Sequence, residues 1–127
     1  MKEELYWLWL SNISGIGRKK KDTLIECFQT PQKAFFASDQ EIKEVCERFS
    51  FFTKNDLPNL LASRNIEKIE RYDKKLIASN IQYYSINHER YPKQLRTLYD
   101  PPHIIYVKGK LVEEQQIKIA IVGARRC

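Results

Sequence analysis

Lys118-Ile119-Ala120-Ile121-Val122-Gly123 is a short apolar run closed by glycine, and its reading decides the fold class. Consecutive apolar residues without alternation mark a strand buried on both faces, and such strands belong to parallel sheets covered by helices. Working back along the chain, His103-Ile104-Ile105-Tyr106-Val107 follows the break at Asp100-Pro101-Pro102 and ends at Gly109. Pro92 to Leu98 reads as a short helix entered through proline, and Ile81-Gln82-Tyr83-Tyr84-Ser85-Ile86 is rich in β-formers. A parallel strand needs neighbours and crossovers of roughly a dozen residues each. Only Ala124, Arg125, Arg126 and Cys127 follow Gly123. The expectation is an N-terminal fragment of a longer protein, ending where a first phosphate-facing turn begins.

Before residue 80 the period is helical. Leu5-Tyr6-Trp7-Leu8-Trp9-Leu10 is apolar throughout and fits the first buried helix of a bundle. After a turn at Gly15–Gly17, Leu24, Cys27 and Phe28 form a stripe at i, i+3 and i+4. Thr30-Pro31 is an N-cap followed by proline at the first helical position, and Ser38 with Glu41 is a capping-box pattern. Ile42, Val45, Cys46 and Phe49 supply the face of that next helix. Asp56 and Pro58 start another, feeding Leu60 and Leu61. A last helix carries Ile66, Ile69, Leu76 and Ile77 on one side and stops at Asn80. The predicted organisation is a helical domain over residues 1–80 and the opening of an α/β domain over 81–127.

The composition of the 127 residues, 43% hydrophobic and 30% charged, excludes disorder and fibrous classes. No apolar run reaches the roughly 20 residues of a membrane span, and the start lacks a secretory pattern. Three cysteines without CxxC spacing argue against a disulfide framework and a zinc site, so a reducing cytoplasm is the expected compartment. The net charge is +6. Residues 81–127 hold eight Lys and Arg against four Asp and Glu, while residues 1–80 hold fourteen against twelve. The denser excess in the shorter segment is consistent with a polyanionic partner.

Two motifs carry chemistry. Ile13-Ser14-Gly15-Ile16-Gly17 followed by Arg18-Lys19-Lys20-Lys21 resembles a helix-hairpin-helix element. Glycines permit the turn, Ile13 and Ile16 anchor it, and free amides at the next helix start can meet a phosphate. Gly15, Gly17, Arg18, Lys19 and Lys20 are the candidate contacts there. Cations are unfavourable at the positive end of a helix dipole, so the run hints at function; a tight turn with a solvated basic face is the plain alternative. Val122-Gly123-Ala124-Arg125-Arg126 lies where a buried strand releases the chain, the edge at which open α/β sheets bind ligands. Phosphate contact by Gly123, Ala124, Arg125 and Arg126 and a plain strand end stay equally open, because no G-x-G-x-x-G follows. His88 and His103 have no cluster of ligands around them, and no nucleophile or acid–base pair stands out. Catalytic residues, metal and cofactor are therefore not expected.

Tyr6-Trp7-Leu8-Trp9-Leu10, Ile13-x-Gly15-Ile16-Gly17, Tyr91-Pro92-x-x-Leu95, Asp100-Pro101-Pro102, Tyr106-x-x-Gly109 and Ala120-Ile121-Val122-Gly123-Ala124-Arg125 stand in the order found in the DNA-processing protein A (DprA/Smf) family. The resemblance spans essentially the whole chain. It implies a helix-hairpin-helix or SAM-like helical domain joined to an extended Rossmann-like domain, here incomplete. It further implies a cytoplasmic, non-enzymatic protein that binds single-stranded DNA and helps load a RecA-type recombinase in natural transformation, with a homodimer in the full-length protein. In the family a Gly-[Ser/Ala]-Arg turn opens the DNA pocket, which maps to Gly123, Ala124 and Arg125; Arg125 would hold a DNA phosphate. Two other classes compete. One is an enzyme whose Rossmann-type domain binds a nucleotide or phosphorylated substrate. The other is an interaction module in which residues 1–80 hold a protein partner, a second copy or duplex DNA.

Overall fold

The computed structural model describes residues 3–108. The chain divides into two compact units, the first through Ile69 and the second from Glu70. The first contains α1 (Glu3–Ser11), α2 (Arg18–Phe28), α3 (Pro31–Phe36), α4 (Asp39–Arg48), α5 (Asp56–Ser63) and the start of α6 (Ile66–Ala78). The second contains the rest of α6, then β1 (Ile81–Ser85), α7 (Lys93–Arg96) and β2 (Ile104–Lys108).

In the first unit α1 is the central element. Its residues Leu5 to Leu10 are all buried, the condition under which a helix can be apolar on every side. α3 packs against both α1 and α2, and α4 packs against α5. Phe35 makes edge contacts with Tyr6 and Trp9, each at 5.2 Å between ring centroids. The Trp9 indole keeps a polar partner by donating to Ser63 Oγ at 3.0 Å. Leu8, Leu10, Leu24, Ile42 and Leu60 complete the core, each stabilising the fold by about 2 kcal/mol through removal from water.

The helix boundaries follow local chemistry. Thr30 Oγ1 accepts from the Lys33 amide and Pro31 occupies the first turn of α3. Ser38 and Glu41 form a complete reciprocal capping box on α4. Asn65 Oδ1 accepts from the Lys68 amide at the start of α6. That helix stops before Asn80, which takes the left-handed conformation (φ 60°) that asparagine tolerates. One position on α6 departs from expectation: Ile77 is 62% exposed. It lies about 100° around the helix from Leu76, so the two cannot share one narrow stripe.

In the second unit β1 and β2 pair antiparallel, with Tyr83 opposite Tyr106 and Ser85 opposite Ile104. The parallel arrangement was expected for the run at 118–123, which lies outside the described residues. Ile104 to Val107 are buried on both faces of the ribbon. Tyr84, Tyr91, Ile105 and Val107 form one cluster, joined by Ile86 and Leu95. On the other face the Tyr83 hydroxyl donates to Asp73 of α6 at 2.6 Å. The proline-marked turns meet here: the Tyr91 hydroxyl donates to the Pro102 carbonyl at 2.8 Å. Arg96 lies over the Tyr91 ring and donates to the carbonyls of Ile86 (2.9 Å) and His88 (3.0 Å). The fold is thus mixed: helices with a small antiparallel ribbon among the described residues.

Candidate functional site

The hairpin between α1 and α2 is built as its sequence suggests at three of its residues. Ile13 and Ile16 are buried, and Gly15 has φ +82°, a conformation that side chains rarely adopt. A Cβ on Gly15 would lie 3.1 Å from Asn59 Nδ2, which donates to the Ser14 carbonyl from α5. Gly17 differs. It is the extended N-cap of α2, at φ −82°, and a Cβ there meets nothing within 4 Å. Gly15→Ala is expected to lower stability by about 1–2 kcal/mol, whereas Gly17→Ala should change it by no more than about 0.5 kcal/mol. Thermal melts of the two variants check the difference; equal effects would refute this reading of the turn.

No side chain caps the α2 N-terminus. The cations that follow are mostly engaged within the unit. Arg18 Nε lies 3.3 Å from Asp22 one turn on, and Lys20 Nζ lies 2.7 Å from Asp56 of α5. Lys21 Nζ donates to the Ser11 carbonyl at 2.8 Å. Burial, with the charge of Arg18 acting in the same direction, holds the Lys21 ammonium below its ordinary pKa. Carboxylates and a carbonyl therefore offset the unfavourable placement of positive charge at this helix end. Lys19 is the exception, with its ammonium 4.8 Å from the centroid of the Phe51 ring.

Asp56 escaped the sequence reading, which took it only as a helix start. It is 5% exposed, and one carboxylate oxygen accepts from both Lys20 and the Thr53 amide, each at 2.7 Å. Burial pushes its pKa up, but the Lys20 and Thr53 hydrogen bonds and the Lys20 charge outweigh it, leaving the carboxyl below the usual aspartate value. Arg64 was also missed. From the end of α5 the two N–H groups of its Nη1 are shared among the carbonyls of Phe35, Ala37 and, at 3.4 Å, Ala34, and its Nη2 lies 2.6 Å from Asp39. The Thr53 contact of Asp56 is local, but its Lys20 partner lies 36 positions away and the carbonyls bound by Arg64 about 30, beyond what local spacing reveals.

Among the described residues no group of three or more His, Cys, Asp or Glu could hold a metal ion. Burial, then the carboxylates of Asp56 and Glu47, push the Cys46 thiol up, against an opposing pull from Lys20. Among the described residues no helix is long and apolar enough to cross a membrane. The turn at Gly123, Ala124, Arg125 and Arg126 lies outside the described residues.

Residues 82–127 match the family model of DNA recombination-mediator protein A, a range that includes Gly123, Ala124 and Arg125. Over that segment the chain is similar to the DprA/Smf family. Over 77 residues it is 29% identical to the protein Smf of Borreliella burgdorferi, covering 61% of this chain and 24% of that relative. The matched stretch is thus about a quarter of the relative's length. No solved structure matches the chain.

Proposed function

We propose that this protein is a recombination mediator that binds single-stranded DNA and helps seat a RecA-type recombinase on it, without covalent chemistry of its own. The observation that carries this reading is the family match over residues 82–127, the segment holding Gly123-Ala124-Arg125. In the proposed site the turn amides and the Arg125 guanidinium grip one phosphate, the arginine bidentately, with Arg126 adding charge. The surrounding domain is Rossmann-like in this proposal, and the working form is a cytoplasmic homodimer. The charge excess of residues 81–127 supports attraction to a polyanion. The hairpin at Gly15–Gly17 has a supporting part, since it fixes the start of α2 and the position of Lys19.

Arg125→Ala, made in the protein expressed from its natural reading frame, is expected to weaken binding of a labelled single-stranded oligonucleotide about tenfold, the worth of one charge-assisted phosphate contact. Arg125→Lys should recover part of the loss. Fluorescence anisotropy reads both, and an unchanged affinity for Arg125→Ala would remove that residue from the site.

A further inference from the structure

The basic run at the start of α2 sorts itself by partner. Arg18, Lys20 and Lys21 are bound within the first unit, while Lys19 is exposed and stacked on Phe51. Phe51 belongs to the stretch Arg48-Phe49-Ser50-Phe51-Phe52-Thr53-Lys54 between α4 and α5, which carries two cations and no carboxylate. Its rings form a continuous seam: Phe49 to Phe51 is 5.5 Å between centroids and Phe51 to Phe52 is 5.2 Å, with interplanar angles of 31° and 34°. The Arg48 guanidinium lies 5.9 Å from the Phe49 centroid. Phe52 is buried and anchors the seam, whereas Phe49 and Phe51 are half-buried and keep ring surface in water. Among the described residues no carboxylate lies within 4.0 Å of Lys19, Arg48 or Lys54.

Unpaired cations bordering half-buried, tilted rings match the two requirements of single-strand binding, phosphate attraction and base stacking. A duplex presents phosphates but hides its base faces, and an acidic peptide has no need of the rings. We infer that the Lys19–Phe51–Phe49–Arg48 seam is a second contact for single-stranded nucleic acid, with bases laid against Phe49 and Phe51 and phosphates held by Lys19, Arg48 and Lys54. The inference does not depend on the role proposed for Arg125.

The test uses the whole protein, a fluorescein-labelled oligothymidine and anisotropy across a salt series. Lys19→Gln with Arg48→Gln is expected to flatten the slope of log affinity against log salt by about 0.7 for each charge removed. Phe51→Leu keeps an apolar side chain in place, and should weaken binding about tenfold at fixed salt with an unchanged melting temperature. In the Arg125→Ala background the same losses should add. An unchanged slope, full affinity in Phe51→Leu, or equal competition by a duplex or by polyglutamate would overturn the inference. Loss through the seam variants but not through Arg125→Ala would uphold the seam and refute the proposed turn; the reverse pattern would do the opposite.

Discussion

Replacing Asp56 with alanine is expected to destabilise the protein by about 3 kcal/mol, toward the low end for breaking a buried ion pair because the Lys20 side chain remains 20% exposed. The loss has two parts. The Lys20 ammonium is left partly buried without its counter-charge, and the Thr53 amide loses its acceptor at the entrance to α5. Lys20→Met combined with Asp56→Asn should recover much of the stability, since neither charge then remains to be desolvated. Chemical denaturation of the single and double variants measures the coupling; additive losses would contradict a direct pair.

The same carboxylate sets an acid limit. Its folded-state pKa lies below that of an unfolded aspartate, about 3.9. Its contribution is therefore fully present above about pH 4 and is lost as the pH falls through the lower folded value. Melting temperatures recorded from neutral to acid pH should fall below about pH 4, and fall less steeply in Asp56→Asn.

Arg64→Ala is expected to cost about 2–3 kcal/mol, for a different physical reason. α3 has only six residues, too few to be stable alone, and its carbonyls at Ala34 and Phe35, with that of Ala37 beyond it, share one guanidinium as donor. The Arg64 side chain is 12% exposed, so water cannot readily replace it. Arg64→Lys should restore only part of the loss, because a single ammonium cannot reach the same fan of acceptors. Asp39, 77% exposed at its side chain, completes an ion pair of little worth, and Asp39→Asn should change stability by under about 0.5 kcal/mol. If Arg64→Ala and Asp39→Asn had equal effects, the ion pair rather than the carbonyl contacts would be the source.

These cases mark what the sequence discloses and what it hides. The caps at Thr30 and Ser38 were legible because donor and acceptor lie three residues apart. The buried α1 was legible because six consecutive apolar residues suit no surface element. Gly15 was legible through its turn, but Gly17 was overread: it precedes the helix without needing glycine's conformational freedom. Ile77 was misplaced because composition marks a residue apolar without fixing its angle around a helix. β-former content pointed to β1, and the proline break marked the run that becomes β2, but neither could give the direction of their pairing, which depends on how the chain returns. In the basic run, spacing revealed four positive charges and said nothing of Asp56, whose carboxylate arrives from α5. The separation of Lys19 from its neighbours, on which the inferred second nucleic-acid contact rests, became visible only through those distant partners.

Under the proposed function the protein grips single-stranded DNA through its phosphates. A salt titration of oligothymidine binding tests it most directly. The predicted result is a linear fall of log affinity with log salt, shallower in Arg125→Ala by about 0.7. Binding that ignores salt, or no binding to single strands at low ionic strength, would contradict it.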